Sequence, residues 1–108
     1  MTAPRIAPST QEAIQLLAWS IRAARLRRRW SSAELAERVG VSRATISKLE
    51  QGHPGVAIGT FFEAATLVGV PLFADDTTRQ RYAAHKRADL ALLPESARRP
   101  RKRIDDNF

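Results

Sequence analysis

The feature that most constrains this chain is a pair of short apolar-periodic segments between Ser31 and Gly52, each opened by a serine and closed by a glycine. In the first, Ser31 precedes Glu34 by three residues, the spacing of a reciprocal capping box. Leu35, Ala36 and Val39 form its inner face, and Gly40 ends it because glycine takes a left-handed backbone without steric cost. Ser42 opens the second segment, which is predicted to run to about Gln51 with Ile46 and Leu49 inward. Ala36 is small enough for the two helices to cross closely, and Val41, Ile46 and Leu49 plug the gap between them. Two helices joined by such a turn make the unit whose second helix enters the DNA major groove. An αα-hairpin without a DNA role is the plainer alternative. The coincidence of small residue, glycine and apolar spacings favours the DNA-reading unit.

Around this pair the pattern is helical throughout, with no strand signal and no internal repeat. Residues 1–10 hold two prolines and few large apolar groups, and read as a mobile arm. From Gln11, Ile14, Leu17, Ala18, Ile21 and Ala24 recur at steps of three and four. Ser9 is the expected cap of this helix, with Glu12 completing a second capping box. His53, Pro54 and Gly55 form a turn. A fourth helix over about Ile58 to Val68 buries Phe61, Ala65 and Val68, stops at Gly69, and is barred from continuing by Pro71. A weaker fifth runs from about Thr78 to Leu93 with Tyr82, Leu90 and Leu93. The domain reading is an arm at 1–10, a helix-turn-helix domain at 11–75, an additional helix at 76–93, and a basic, acidic-ended tail at 94–108.

Charge narrows the partners. The 108 residues carry 18 Lys and Arg against 11 Asp and Glu, a formal net charge of +7. Such an excess favours a polyanion, nucleic acid or an anionic membrane surface, over a merely soluble basic protein. There is no cysteine, which excludes a disulfide framework and a thiolate metal site. No apolar run approaches the roughly 18 residues of a membrane span, and Met1 to Ser9 lacks the pattern of a secretion signal. The expected location is therefore the cytoplasm, at the nucleoid. His53 and His85 stand apart, in no ligand-spaced cluster. No phosphate-binding glycine loop or framed serine nucleophile occurs, and Asp75-Asp76 reads as a helix start or loop feature. The chain is not expected to be an enzyme, and no cofactor or metal is expected.

The segments Ile21-Arg22-Ala23-Ala24-Arg25, Ser31-Ser32-Ala33-Glu34-Leu35-Ala36 and Val41-Ser42-Arg43-Ala44-Thr45-Ile46-Ser47-Lys48-Leu49-Glu50-Gln51-Gly52 resemble the Cro/phage-repressor, or Xre, helix-turn-helix family over about Ile21 to Val70. The resemblance implies an all-α fold, a five-helix Xre/Cro-repressor-like helix-turn-helix domain, here with a flexible N-terminal arm and a C-terminal tail. It also implies a homodimer and binding to a double-stranded DNA operator. Arg43 is then the candidate to read guanine, since its fork matches two acceptors on that base edge. Ala44 suits a thymine methyl, and Ser47 and Lys48 face a base or a phosphate one turn on. Ser32, Ser42 and Thr45 are phosphate or capping residues; for Ser42 and Thr45 the two roles stand level. By the resemblance Arg25 and Glu50 form an ion pair tying the first helix to the third, and Trp30 is a core plug. The run Arg22, Arg27, Arg28 and Arg29 is a solvated face that adds to the field attracting DNA. Two positions depart from the family: Ser32 stands where it usually has Gln, and Arg29 where it often has Gly, so the turn there is expected to be strained or to end differently.

The flanks resemble a second group. The turn Gln51-Gly52-His53-Pro54-Gly55-Val56, the stop Leu92-Leu93-Pro94, the basic tail and the ending Ile104-Asp105-Asp106-Asn107-Phe108 look like antitoxins encoded beside Hip-type kinase toxins. That resemblance implies a repressor of its own operon that also binds the toxin, with Asp105, Asp106 and Phe108 as partner-contacting residues. A plain regulator with a basic tail is the alternative. RNA binding lacks an aromatic stacking platform. A membrane-surface role for the first helix competes with the partner helices that better explain its apolar face.

Overall fold

A computed structural model describes residues 5–97. Among them are five helices and no strand: α1 (Pro8–Arg27), α2 (Ser32–Val39), α3 (Arg43–Glu50), α4 (Ile58–Val68) and α5 (Asp76–Ala91). The chain divides into two compact units, Met1–Phe73 and Ala74–Phe108.

The first unit holds α1 to α4. Here α1 packs on α3 and α4, and α2 packs on the same two helices. Ile21, Leu35, Ile46 and Leu49 are wholly enclosed at the centre, one from α1, one from α2 and two from α3. Each such side chain contributes about 1.5–3 kcal/mol through the apolar surface it removes from water. Alanines set the helix spacing: Ala18, Ala36, Ala64 and Ala65 are buried among the larger groups, and a methyl there lets backbones approach.

The caps explain where the helices begin and end. Ser31 and Glu34 form the expected box, with Ser31 Oγ accepting from Glu34 N at 3.0 Å and Glu34 Oε1 from Ser31 N at 3.3 Å. Gly40 closes α2 at φ 86°, and Gly69 closes α4 at φ 84°. The start of α1 differs from expectation. The helix begins at Pro8 with Ala7 as its cap, and no side chain caps it. Proline's fixed φ suits the first helical position, where its missing N–H would have no partner anyway. Ser9 is therefore already inside the first turn, and Glu12 completes no box. The expected strain near Arg29 is present. Arg29 lies in the left-handed region at φ 60°, a conformation that costs a residue with a Cβ roughly 1–2 kcal/mol.

The second unit contains α5 among its described residues. Asp75 caps it, accepting from Thr78 N at 2.8 Å and from Thr78 Oγ1 at 3.1 Å. The helix thus starts two residues before the predicted Thr78 and stops at Ala91, because the cap residue lies further upstream than the apolar pattern. None of its residues is buried.

Candidate nucleic-acid interface

The interface is built around α3, whose two faces differ sharply. Ile46 and Leu49 point into the core and are fully enclosed. Arg43, Ala44, Ser47 and Lys48 are exposed, and Thr45 is half-buried. Ala44, Ser47 and Lys48 fall at steps of three and four, so they share one helix face, and Arg43 stands at its N-terminal edge. This is the face a major groove would meet.

The N-terminus of α3 is fixed by Ser42, whose Oγ accepts from Thr45 N at 3.1 Å. The Ser42 and Thr45 hydroxyls lie 2.9 Å apart, one donating to the other. That pairing consumes one hydroxyl proton and leaves one for an outside acceptor such as a phosphate oxygen. Ser42 therefore caps the helix, and a phosphate contact remains chemically open to the pair.

Three side-chain clamps hold α3 against α1. Arg25 grips Glu50 through Nε at 2.7 Å and Nη2 at 2.9 Å, a bidentate pair whose side chains are only 10% and 9% exposed. A third guanidinium N–H donates to the Trp30 carbonyl at 2.8 Å. The Glu50 hydrogen bond raises the Arg25 pKa above its ordinary value, against the opposing effect of burial. The second clamp is Gln11 Nε2, which donates to the Gly52 carbonyl at 2.9 Å. The third is Gln15. With its amide oriented to suit its neighbours, it donates to the Gln51 carbonyl at 3.0 Å and accepts from Trp19 Nε1 at 2.8 Å. Gly52 sits between these glutamines at φ 75°, where a Cβ would come within 2.5 Å of the tip of the Gln15 amide. Glycine takes that backbone without steric cost and leaves room for the Gln15 amide.

Ser32 opens α2 and is half-buried. It lines a cleft with Arg22, Arg25, Ser47, Glu50 and Gln51. It therefore lines the same cleft as the exposed Arg22. The rest of the basic run divides. Arg28 Nε donates to the Val68 carbonyl at 3.0 Å, tying α1 to the end of α4. Trp30 packs against the core, as the plug reading expects. The Arg28 and Arg38 guanidinium groups approach its ring, at 5.3 and 4.1 Å from the centroid. Arg28 and Arg38 are thus partly engaged within the fold.

The bracing roles of Gln11 and Gln15 are not legible in the sequence. Gln11 and Gln15 are four apart on α1, beside the apolar stripe, which marks one polar rail. Nothing in the local pattern says that the rail meets the end of α3. Asp105, Asp106 and Phe108, with the basic run from Arg98 to Arg103, lie outside the described residues. Among the described residues no group of His, Cys, Asp or Glu is arranged to hold a metal ion. Among the described residues no helix is long and apolar enough to cross a membrane.

This geometry can be set beside known proteins. Residues 21–73 match the helix-turn-helix family model. The matched stretch begins within α1 and takes in α2, α3 and α4, so it contains both helices of the reading pair and most of the core. A transcription factor described as hypothetical, from Neisseria meningitidis serogroup B, is 29% identical over 73 residues, covering 68% of this chain and 69% of its own. No solved structure matches the chain. The all-α fold and the family match together support a DNA-binding transcriptional regulator.

Proposed function

We propose that the chain is a sequence-specific repressor that binds a near-palindromic DNA operator as a homodimer, reading bases with Arg43, Ala44, Ser47 and Lys48. Ser32, Ser42 and Thr45 meet the flanking phosphates. The observation that carries this reading is the split character of α3. Its polar face is exposed while its other face and its C-terminal end are locked by Ile46, Leu49 and the Arg25–Glu50 pair. A helix held this rigidly presents its side chains without further ordering cost, which is what base readout requires.

The test is direct. A duplex is selected from a random library, and affinity is measured for it and for a scrambled duplex at one salt concentration. Arg43→Ala should lose about 1–3 kcal/mol on the selected site and relax the preference at one position per half-site. Equal small losses on both duplexes would reject base reading. Protected half-site centres should lie about 34–36 Å apart or a multiple of that.

The finer reading is that this repressor is the antitoxin of a Hip-type toxin–antitoxin pair and binds a kinase-like toxin through Asp105, Asp106 and Phe108. Its support is the sequence of the 51–56 turn, the Leu92-Leu93-Pro94 stop and the tail. Deleting Ile104 to Phe108 should leave operator affinity unchanged and weaken the complex with a kinase-like protein encoded in the same operon. If no such gene is adjacent, the plain regulator reading stands.

A further inference from the structure

Most of α1 is accounted for by the core it covers, yet its far side is also apolar. Leu16, Trp19 and Leu26 are 64%, 60% and 53% exposed. With the half-buried Ala23 they follow a three, four, three spacing, the seam pattern of paired helices. At 100° per residue this stripe is centred opposite Ile14, Leu17, Ala18 and Ile21, so α1 is apolar on two opposite sides. Trp19 is already held: its indole N–H donates to Gln15 at 2.8 Å. Its polar atom is satisfied and its ring is left as a pre-positioned apolar surface, the profile of an interface anchor.

We propose that this face is the seam of the homodimer, with α1 packed antiparallel against α1 of a second copy; the inference rests on the dimer proposed above and names its surface. Two features of the stripe select that occupant. The first is size. An antiparallel pair centred at Ile21 sets Trp19 of each copy over the small Ala23 of the other, and Leu16 against Leu26, so large meets small twice about one axis. The second is charge. Glu12 lies one turn before Leu16, while Arg27 and Arg29 follow at the other end. Antiparallel packing brings each Glu12 to the basic end of the other copy and opposes the two helix dipoles. Parallel packing would set like against like at both ends.

The same pairing has a consequence for DNA. An isologous axis normal to the two helices keeps the Arg22 flank of both copies on one side. Arg22 borders the cleft that holds Ser32 and Ser47, so both reading faces turn toward one duplex. The two Arg22 groups also converge near the axis, which favours a polyanion there. One helix face buries less than the roughly 1,200 Å² of a standard interface. The free dimer is therefore weak, and adjacent half-sites on DNA drive it together.

The chain lacks cysteine, so single thiols can be placed cleanly. Leu16→Cys and Leu26→Cys variants are mixed and oxidised, alone and on the selected duplex. Facing positions can reach the about 4.4–6.8 Å Cα separation of a disulfide. Two copies of position 16 would lie about 15 Å apart along the axis, from ten residues of helical rise. The expected result is a mixed disulfide that dominates over either homodisulfide. Trp19→Glu should raise the dimer dissociation constant at least tenfold in sedimentation while keeping the helical signal, and Leu16→Glu, at a residue that is 64% exposed, should do the same. A dominant position-16 homodisulfide overturns the antiparallel arrangement. A dimer unmoved by Trp19→Glu but dissociated by Ile58→Glu, on the apolar groove between α1 and α4, overturns the seam while leaving the dimer intact. A chain that stays monomeric even on the selected duplex removes both this inference and the dimer it rests on.

Discussion

Helices α2 and α5 are opened by the same chemistry and differ in everything that follows. Ser31 caps α2 by accepting from Glu34 N, and Asp75 caps α5 by accepting from Thr78 N. Yet α2 has eight residues and buries Leu35 and Ala36, while α5 has sixteen and buries none. The shorter helix is the one tied into a core. Ion pairs show the same contrast. Arg25 and Glu50 are almost entirely enclosed, whereas the Arg79–Asp76 pair on α5 is solvent-exposed. A cap and a surface pair are worth tenths to about 1 kcal/mol each. Burial of a single Leu exceeds that. Local signals therefore start and stop a helix, and apolar contact decides whether it becomes part of a fold.

The strongest way to break this comparison is to cut the buried ion pair. Arg25→Ala should destabilise the first unit by about 3–5 kcal/mol, because it strands an enclosed Glu50 carboxylate. The same change at Arg79 should stay within about 0.5 kcal/mol. Urea unfolding of both variants checks it, and equal effects would erase the distinction. Leucines give the next contrast. Leu35→Ala should cost about 2–5 kcal/mol through lost burial and the cavity left behind. Leu90→Ala, at a residue 67% exposed, should lie within about 0.5 kcal/mol in the same measurement.

A smaller effect, of opposite sign, sharpens the account of the first unit. Arg29→Gly should stabilise it by about 1 kcal/mol, since the left-handed backbone at φ 60° no longer carries a Cβ. A lower melting temperature for that variant would show that the arginine side chain supplies more than the backbone loses. The smallest effect is at the α5 cap. The hydrogen bond from the Thr78 backbone N–H, helped by the Thr78 hydroxyl, holds the Asp75 carboxyl below its ordinary pKa. A lowered folded value means that the cap's contribution is complete above the ordinary carboxylate range and disappears as pH falls through the lowered value. Amide exchange in the first turn of α5 should speed up on acidification, and Asp75→Asn should flatten that dependence. Unchanged exchange in the wild type would remove the cap from the account.

The residues from Ser31 to Gly52 determined much of this protein by themselves. The capping box, the stop at Gly40, the Ser42 cap and the inward Ile46 and Leu49 all follow from chemistry within one or two helical turns. A pattern of that range can be read directly along the chain. The family resemblance added the Arg25–Glu50 pair, and the geometry is the expected one. Other features were harder to read, for two different reasons. Ser9 looks like a cap until Pro8 is seen to begin the helix, because two local signals compete and proline's fixed torsion settles them. Gln11 and Gln15 look like ordinary exposed-side polar residues, yet they close on Gln51 and Gly52 some forty residues away. Tertiary packing alone decided that contact, which adds to the left-handed backbone that already favours glycine at 52. It also decided that α1 keeps a second apolar face uncovered, since periodicity reports which residues are apolar but not which of them another helix will cover.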